Sequence, residues 1–174
     1  MTDQHTAPSP HPDRTGRRLR AGGALLCTAV LLGALVGSSA PAAVVIKDEH
    51  FISAQTPGVL DIEGGECFDD PVHLPEAGGT VVRYRPCALT ADNQTYGFVH
   101  ADDDADWAPA ALGEFAWGAC RDLFTRTWPD GQDRDLRFYP VLPTEETWAA
   151  GDRDVMCVAY RPGGRLSGSM LPRW

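Results

Sequence analysis

A cluster of arginines, an uncharged run and then four widely spaced cysteines in an acidic remainder constrain this chain more than anything else in it. Arg14, Arg17, Arg18 and Arg20 precede the apolar stretch 24–36, and no charge appears from Ala21 through Ile46. Cys67, Cys87, Cys120 and Cys157 lie beyond it. A basic flank stays on the cytoplasmic side of a bilayer, and the apolar run sends the C-terminal remainder outward. Cysteines delivered to an oxidising compartment are read as disulfides. In 174 residues, one globular domain fits beyond the leader.

Residues 1–20 carry His5, His11, several prolines and no apolar periodicity, and read as a disordered cytoplasmic tail. Residues 21–46 read as a transmembrane anchor or a signal peptide. A spanning helix takes roughly 20 apolar residues, a length reached here only if 37–46 is included. Ala40-Pro41-Ala42 offers a small-x-small cleavage site, so secretion after cleavage near Ala42 stands beside retention in the cell membrane. Either way the C-terminal domain is extracellular. Cys27 lacks the small preceding residue of a lipidated cysteine, Leu26 standing there instead, and stays out of the disulfide count.

The net charge is −9, of which residues 1–46 hold four arginines against Asp3 and Asp13. The remainder therefore carries −11. Such a domain repels nucleic acid and anionic headgroups at long range, which argues against a nucleic-acid partner. Lys47 is the sole lysine, a sign of GC-rich coding before it is a sign of chemistry.

Residues 47–59 read as a stalk or first strand, with Phe51 and Ile52 their only large apolar side chains. A domain then runs over 60–174. The β-branched run 80–85 predicts a strand ending at Pro86, and 95–100 a second, with Gly97 at a bulge or close approach. Helical spacing of Leu112, Phe115, Ala116, Ala119, Cys120, Leu123 and Phe124 predicts a helix over 108–126, with Pro109 in its first turn and Asp106 as cap. Residues 136–142 predict an edge strand, because Pro140 cannot donate to a ladder. Residues 154–160 are near-continuously apolar and predict the central strand, and 144–149 a single helical turn between these two. The expected class is α+β, a small antiparallel sheet with one main helix on it.

Cys67–Cys87 and Cys120–Cys157 is the favoured pairing of three possible, because an inward helix position and an inward position of the central strand must meet. Zinc is the alternative, but its cysteines usually come two to four residues apart. Gaps of 20, 33 and 37 residues do not fit that pattern.

No catalytic constellation emerges. Outside the leader, His50, His73 and His100 are the only histidines, and Ser167 and Ser169 do not form a nucleophile elbow. Asp102, Asp104 and Asp106 alternate like an EF-hand start, yet Trp107 and Gly113 occupy the positions needing glycine and glutamate. They read as a solvated loop before the helix. The five tryptophans (Trp107, Trp117, Trp128, Trp148 and Trp174) read as packing before a sugar or peptide platform. Asn93-Gln94-Thr95 matches a glycosylation acceptor, a chance match if the GC-rich coding marks a bacterial source. No residue pattern implies a cofactor or metal.

Gly65-Glu-Cys-Phe68, Tyr84-Arg-Pro-Cys87, the helix carrying Cys120, Trp148-Ala-Ala-Gly-Asp-Arg153 before Cys157, and Gly168-Ser-Met170 together resemble the septum-formation domain. That domain occurs in membrane-anchored envelope proteins of high-GC Gram-positive bacteria. The likeness covers about 60–170 and keeps the order of anchor and domain. The family's usual histidine four residues after the second cysteine is Ala91 here. The resemblance implies an envelope protein linked to septation or division and no catalytic residues. Trp148, Gly151, Asp152 and Arg153 read as a structural corner or a binding surface, Gly151 closing the turn and Arg153 pairing with a carboxylate. The expected function is non-catalytic binding of an envelope or division protein, held to the membrane through 21–46; the alternative is a secreted hydrolase.

Overall fold

Five runs pair into one antiparallel sheet, and one long helix lies across two of its strands. The computed structural model describes residues 44–75, 78–129 and 134–172, so the expected tail, and all but the last three residues of the expected leader, lie outside the described residues. The elements are β1 (Cys67–Leu74), β2 (Gly79–Arg85), β3 (Asn93–His100), α1 (Pro109–Thr127), β4 (Arg137–Val141), α2 (Glu145–Ala149) and β5 (Asp154–Tyr160). The strand order is β2-β1-β3-β5-β4. This is the expected α+β arrangement, with β5 interior and β4 at an edge, where Pro140 needs no outward ladder bond. No helix among the described residues is long and apolar enough to cross a membrane.

The apolarity of β5 follows from cover on both faces. Val155, Cys157 and Ala159 join Tyr96, Cys120, Leu136 and Trp148 beneath α1. Met156, Val158 and Tyr160 point the other way, onto Phe68, Val82 and Tyr139. Ile52, Val59 and Ile62 close that second face. Residues 47–59 are therefore part of the domain and not a stalk: Lys47, Ile52, Ala54 and Val59 are buried, and the Ala54 amide donates to the Leu142 carbonyl at 3.0 Å. An apolar sheet face requires cover, and this segment is what supplies it.

Strand β1 has no counterpart among the sequence expectations, because Asp69, Asp70 and Pro71 break its pattern. A register shift between Asp69 and Val72 accommodates Pro71. The expected cap Asp106 is also corrected. Pro109 keeps Ala108 out of the helical region (φ −143°, ψ 86°), so Ala108 becomes the cap residue and no side chain caps the helix. At Gly97 both expectations hold together: the β3–β5 register shifts there, and a Cβ would sit 2.7 Å from the Leu123 side chain of α1.

The bridges form as favoured. Cys67–Cys87 spans 20 residues with Cα atoms 5.2 Å apart, and Cys120–Cys157 spans 37 with Cα atoms 5.4 Å apart. The second fastens α1 to β5 from within the core.

Candidate functional site

Helix α1 has a second face besides its buried stripe. Ala110, Gly113, Glu114, Trp117, Gly118 and Arg121 recur at helical spacing and line an open groove of about 850 Å³. Its far wall is built by Glu49, His50 and Ser53 from the N-terminal segment and by Leu142–Glu145 before and within α2. Trp107 stands in the groove wall with its ring 5.7 Å from that of Trp148. Trp117 lies 5.4 Å from Phe138 and donates its indole N–H to Glu49 at 2.9 Å.

Two interior helix glycines are unusual, since each costs about 1 kcal/mol relative to alanine. Here neither is required by the domain's own packing. A Cβ built on Gly113 or Gly118 meets no atom within 4 Å. The groove floor is therefore open backbone between two indole rings, with Glu49, Glu114 and Glu145 on its rim and Arg121 at one end. A planar or extended ligand can approach such a floor closely.

Beside the groove, Ala101, Ala105, Leu112, Phe115 and Trp148 line a smaller hollow of about 260 Å³. Phe115, expected in the buried stripe, is 40% exposed and forms its lip. The expected corner lies behind it. Arg153 stacks its guanidinium 3.9 Å from the Trp148 ring centre and donates to the carbonyls of Trp148 at 2.7 Å and Asp152 at 3.1 Å. It does not pair with a carboxylate as expected, because the turn presents its carbonyls nearer. Gly151 takes φ of 98°, the left-handed turn expected of it. Asp152 accepts the Asp154 amide at 3.1 Å. Thr144 and Thr147 cap α2 reciprocally.

The histidines are dispersed. His73 is exposed on β1, and His50 in the groove wall has its side chain 84% exposed. His100 lies at the end of β3, its two ring nitrogens 2.8 Å from Asp154 and 2.9 Å from Asp103. The hydrogen bond to Asp154, then that to Asp103, raises its pKa above 6.5. A raised folded pKa contributes stability that is present in full below about 6.5 and is lost as pH rises through the folded value. Substituting His100→Gln is therefore expected to lower the urea midpoint at pH 5.5 and leave it unchanged at pH 9; equal losses at both pH values would contradict the ion-pair account.

Sequence reasoning left one cluster undetected. The Lys47 ammonium, its side chain 5% exposed, sits 2.5 Å from Asp70 and 2.8 Å from the Asn93 carbonyl, over the rings of Phe51 and Tyr160. Nothing about an isolated lysine in a polar segment signals such burial. The groove did have a signal, the recurrence of small residues and Trp117 opposite the apolar stripe. Among the described residues no group of three or more histidine, cysteine, aspartate and glutamate side chains is disposed to hold a metal ion. Comparison with protein-family models, curated proteins and solved structures gives no match for this chain.

Proposed function

We propose that this chain is a membrane-anchored protein of the bacterial cell envelope whose extracellular domain binds a partner without catalysing a reaction. The link to septum formation or division is supported by the residues shared with the septum-formation domain and by nothing else. Binding is supported chiefly by the groove, where two helix glycines hold open a floor that the domain itself leaves unfilled. Natural chains retain such glycines where something else approaches the backbone.

The test separates folding from binding. Gly113→Ala and Gly118→Ala are each expected to raise stability by about 1 kcal/mol, read as a higher urea midpoint. Gly113→Leu with Gly118→Leu should fold yet fill the groove. A photo-crosslinking residue at Arg121 should then yield cell-envelope adducts in the parent and none in the leucine variant, while one at Thr80 on β2 yields none in either. Adducts that survive groove filling would remove the groove from the reading.

The alternative, a secreted hydrolase, draws on His50 and Ser53 lining the same groove. No hydrogen bond joins these two side chains, and the Glu49 carboxylate lies 3.8 Å from the His50 Nε2, beyond the hydrogen-bond reach by which a base is oriented. Ser53→Ala discriminates the readings: a binding module keeps its adducts and its function, and a hydrolase loses activity.

A further inference from the structure

The buried cluster around Lys47 has the parts of a condensation between two side chains. Lys47 comes from the covering segment, Asp70 from β1, Asn93 from β3 and Tyr139 from β4. One carboxylate oxygen of Asp70 reaches both nitrogens: its Oδ1 lies 2.5 Å from the Lys47 Nζ and 2.9 Å from the Asn93 Nδ2. The Asn93 Oδ1 accepts from Nζ at 2.8 Å and from the Tyr139 hydroxyl at 3.2 Å. A carbonyl bond of about 1.23 Å then puts Nζ no more than about 4 Å from the amide carbon. The terminal torsions of the lysine stem need only carry Nζ from the lone-pair direction to the face of that carbonyl.

The surroundings keep water from the amine and the amide. Lys47 and Asn93 are buried, and the rings of Phe51, Tyr160 and Tyr139 stand 4.9, 5.1 and 5.9 Å from Nζ. Burial lowers the Lys47 pKa, against the hydrogen bond and charge of Asp70. A lysine amine desolvated in this way is an activated nucleophile. Burial also raises the Tyr139 pKa well above its ordinary value, so its hydroxyl stays a donor. Holding nucleophile and carbonyl together removes the encounter that makes such a step slow in water.

We infer that Lys47 and Asn93 join in an intramolecular amide bond, with Asp70 as the proton carrier and Tyr139 as the oxyanion donor. The Lys47 ammonium passes one proton to Asp70 and becomes the free amine. The amine attacks the Asn93 carbonyl carbon; the new C–N bond forms and Tyr139 holds the oxyanion. Asp70 gives its proton to Nδ2 and takes one from the attacking nitrogen. The C–Nδ2 bond then breaks and NH3 departs by the hollow of about 240 Å³ that Lys47, Asp70, Asp92 and Tyr160 line. The products are one amide, one ammonia and a protonated Asp70, and no other reactant enters. Before the step Lys47 titrates and is held by hydrogen bonds alone; after it the nitrogen belongs to an amide and carries no charge. The bond closes a loop across 46 positions that reduction cannot open. The step occurs once per chain and on the chain itself, independently of any partner in the groove.

The test uses the full chain, oxidised and folded in detergent, incubated and then reduced, digested and mapped by mass spectrometry. The intact mass should fall by one ammonia, with residues 47 and 93 recovered in one branched peptide. Asp70→Asn should leave them in separate peptides, and Tyr139→Phe should slow linkage by about 100-fold. Retention of both disulfide pairings shows that each variant has folded. Separate linear peptides from the folded parent would overturn the bond. Ammonia lost within a linear peptide holding Asn93 would overturn it too, since that marks a succinimide at the asparagine. A branched peptide formed as fast in both variants as in the parent would overturn the roles given to Asp70 and Tyr139.

Discussion

Replacing Cys120 and Cys157 together by alanine is expected to lower stability by about 4 kcal/mol. The bridge closes 37 residues, and cross-linking a loop of that length removes conformational freedom from the unfolded chain. Both residues are fully buried, so the substitution adds little hydration and only a small loss of packing. The effect is large against the roughly 5–15 kcal/mol that holds a typical domain together. It also falls at a particular place, since α1 would then be held to the sheet only by non-covalent packing, including Leu112, Ala116 and Leu123 in the core beside Tyr96 and the rings of Trp117 and Phe124 against Phe138. The corresponding change at Cys67 and Cys87 closes a 20-residue loop and should cost about 3 kcal/mol, beside β1 and away from the helix. Urea unfolding followed by tryptophan fluorescence orders the two variants, because Trp128 sits in the helix-side core with Tyr96 and Phe124. A loss below about 1 kcal/mol for the Cys120–Cys157 pair would mean that the bridge does not constrain the unfolded chain as argued.

What could be foreseen in this chain came from local rules acting without competition. Strand β5 was legible because continuous apolarity over seven residues, Asp154–Tyr160, has few outlets other than an interior strand. The helix was legible from its stripe, and the Cys120–Cys157 bridge from the stripe and β5 together. Gly97 was legible because glycine within a strand is seldom idle. What escaped notice was set by tertiary context. Strand β1 carries Asp69, Asp70 and Pro71 and forms because β2 and β3 flank it. Residues 47–59 look too polar for a core, yet they are needed to cover the face of β5 that α1 does not reach. The cap at Ala108 shows backbone geometry overruling side-chain preference: Pro109 determined the boundary and Asp106 fell outside it. For the groove, the spacing of Gly113, Trp117, Gly118 and Arg121 was visible, but emptiness above the glycines is a property of three dimensions.

The same covering segment gives the last and sharpest expectation. Asn93, fully buried, accepts from Lys47 at 2.8 Å and from the Tyr139 hydroxyl at 3.2 Å, and donates to Asp70 at 2.9 Å. Asn93→Ala leaves a buried ammonium short of an acceptor and a buried hydroxyl with none, so a loss of about 3–5 kcal/mol is expected. Lys47→Met should cost far less, within about 1 kcal/mol, because it removes the charge and keeps the stem against Phe51, Tyr139 and Tyr160. The half-exposed Asp70 carboxylate can then turn to water. The two proteins should also differ in pH dependence. Burial lowers the Lys47 pKa, with the Asp70 hydrogen bond and charge opposing it. A base with a lowered folded pKa sheds its proton earlier in the folded state, so stability rises as pH climbs through that value toward 10.5. Tyr96 and Tyr139, both raised by burial, withdraw stability above pH 10 in either protein. The parent-minus-Lys47→Met difference should therefore grow with pH on the approach to 10.5 and be flat well below the lowered pKa. A difference curve without slope, together with an Asn93→Ala loss under about 1 kcal/mol, would show that the lysine is solvated and that residues 47–59 are not clamped to the sheet.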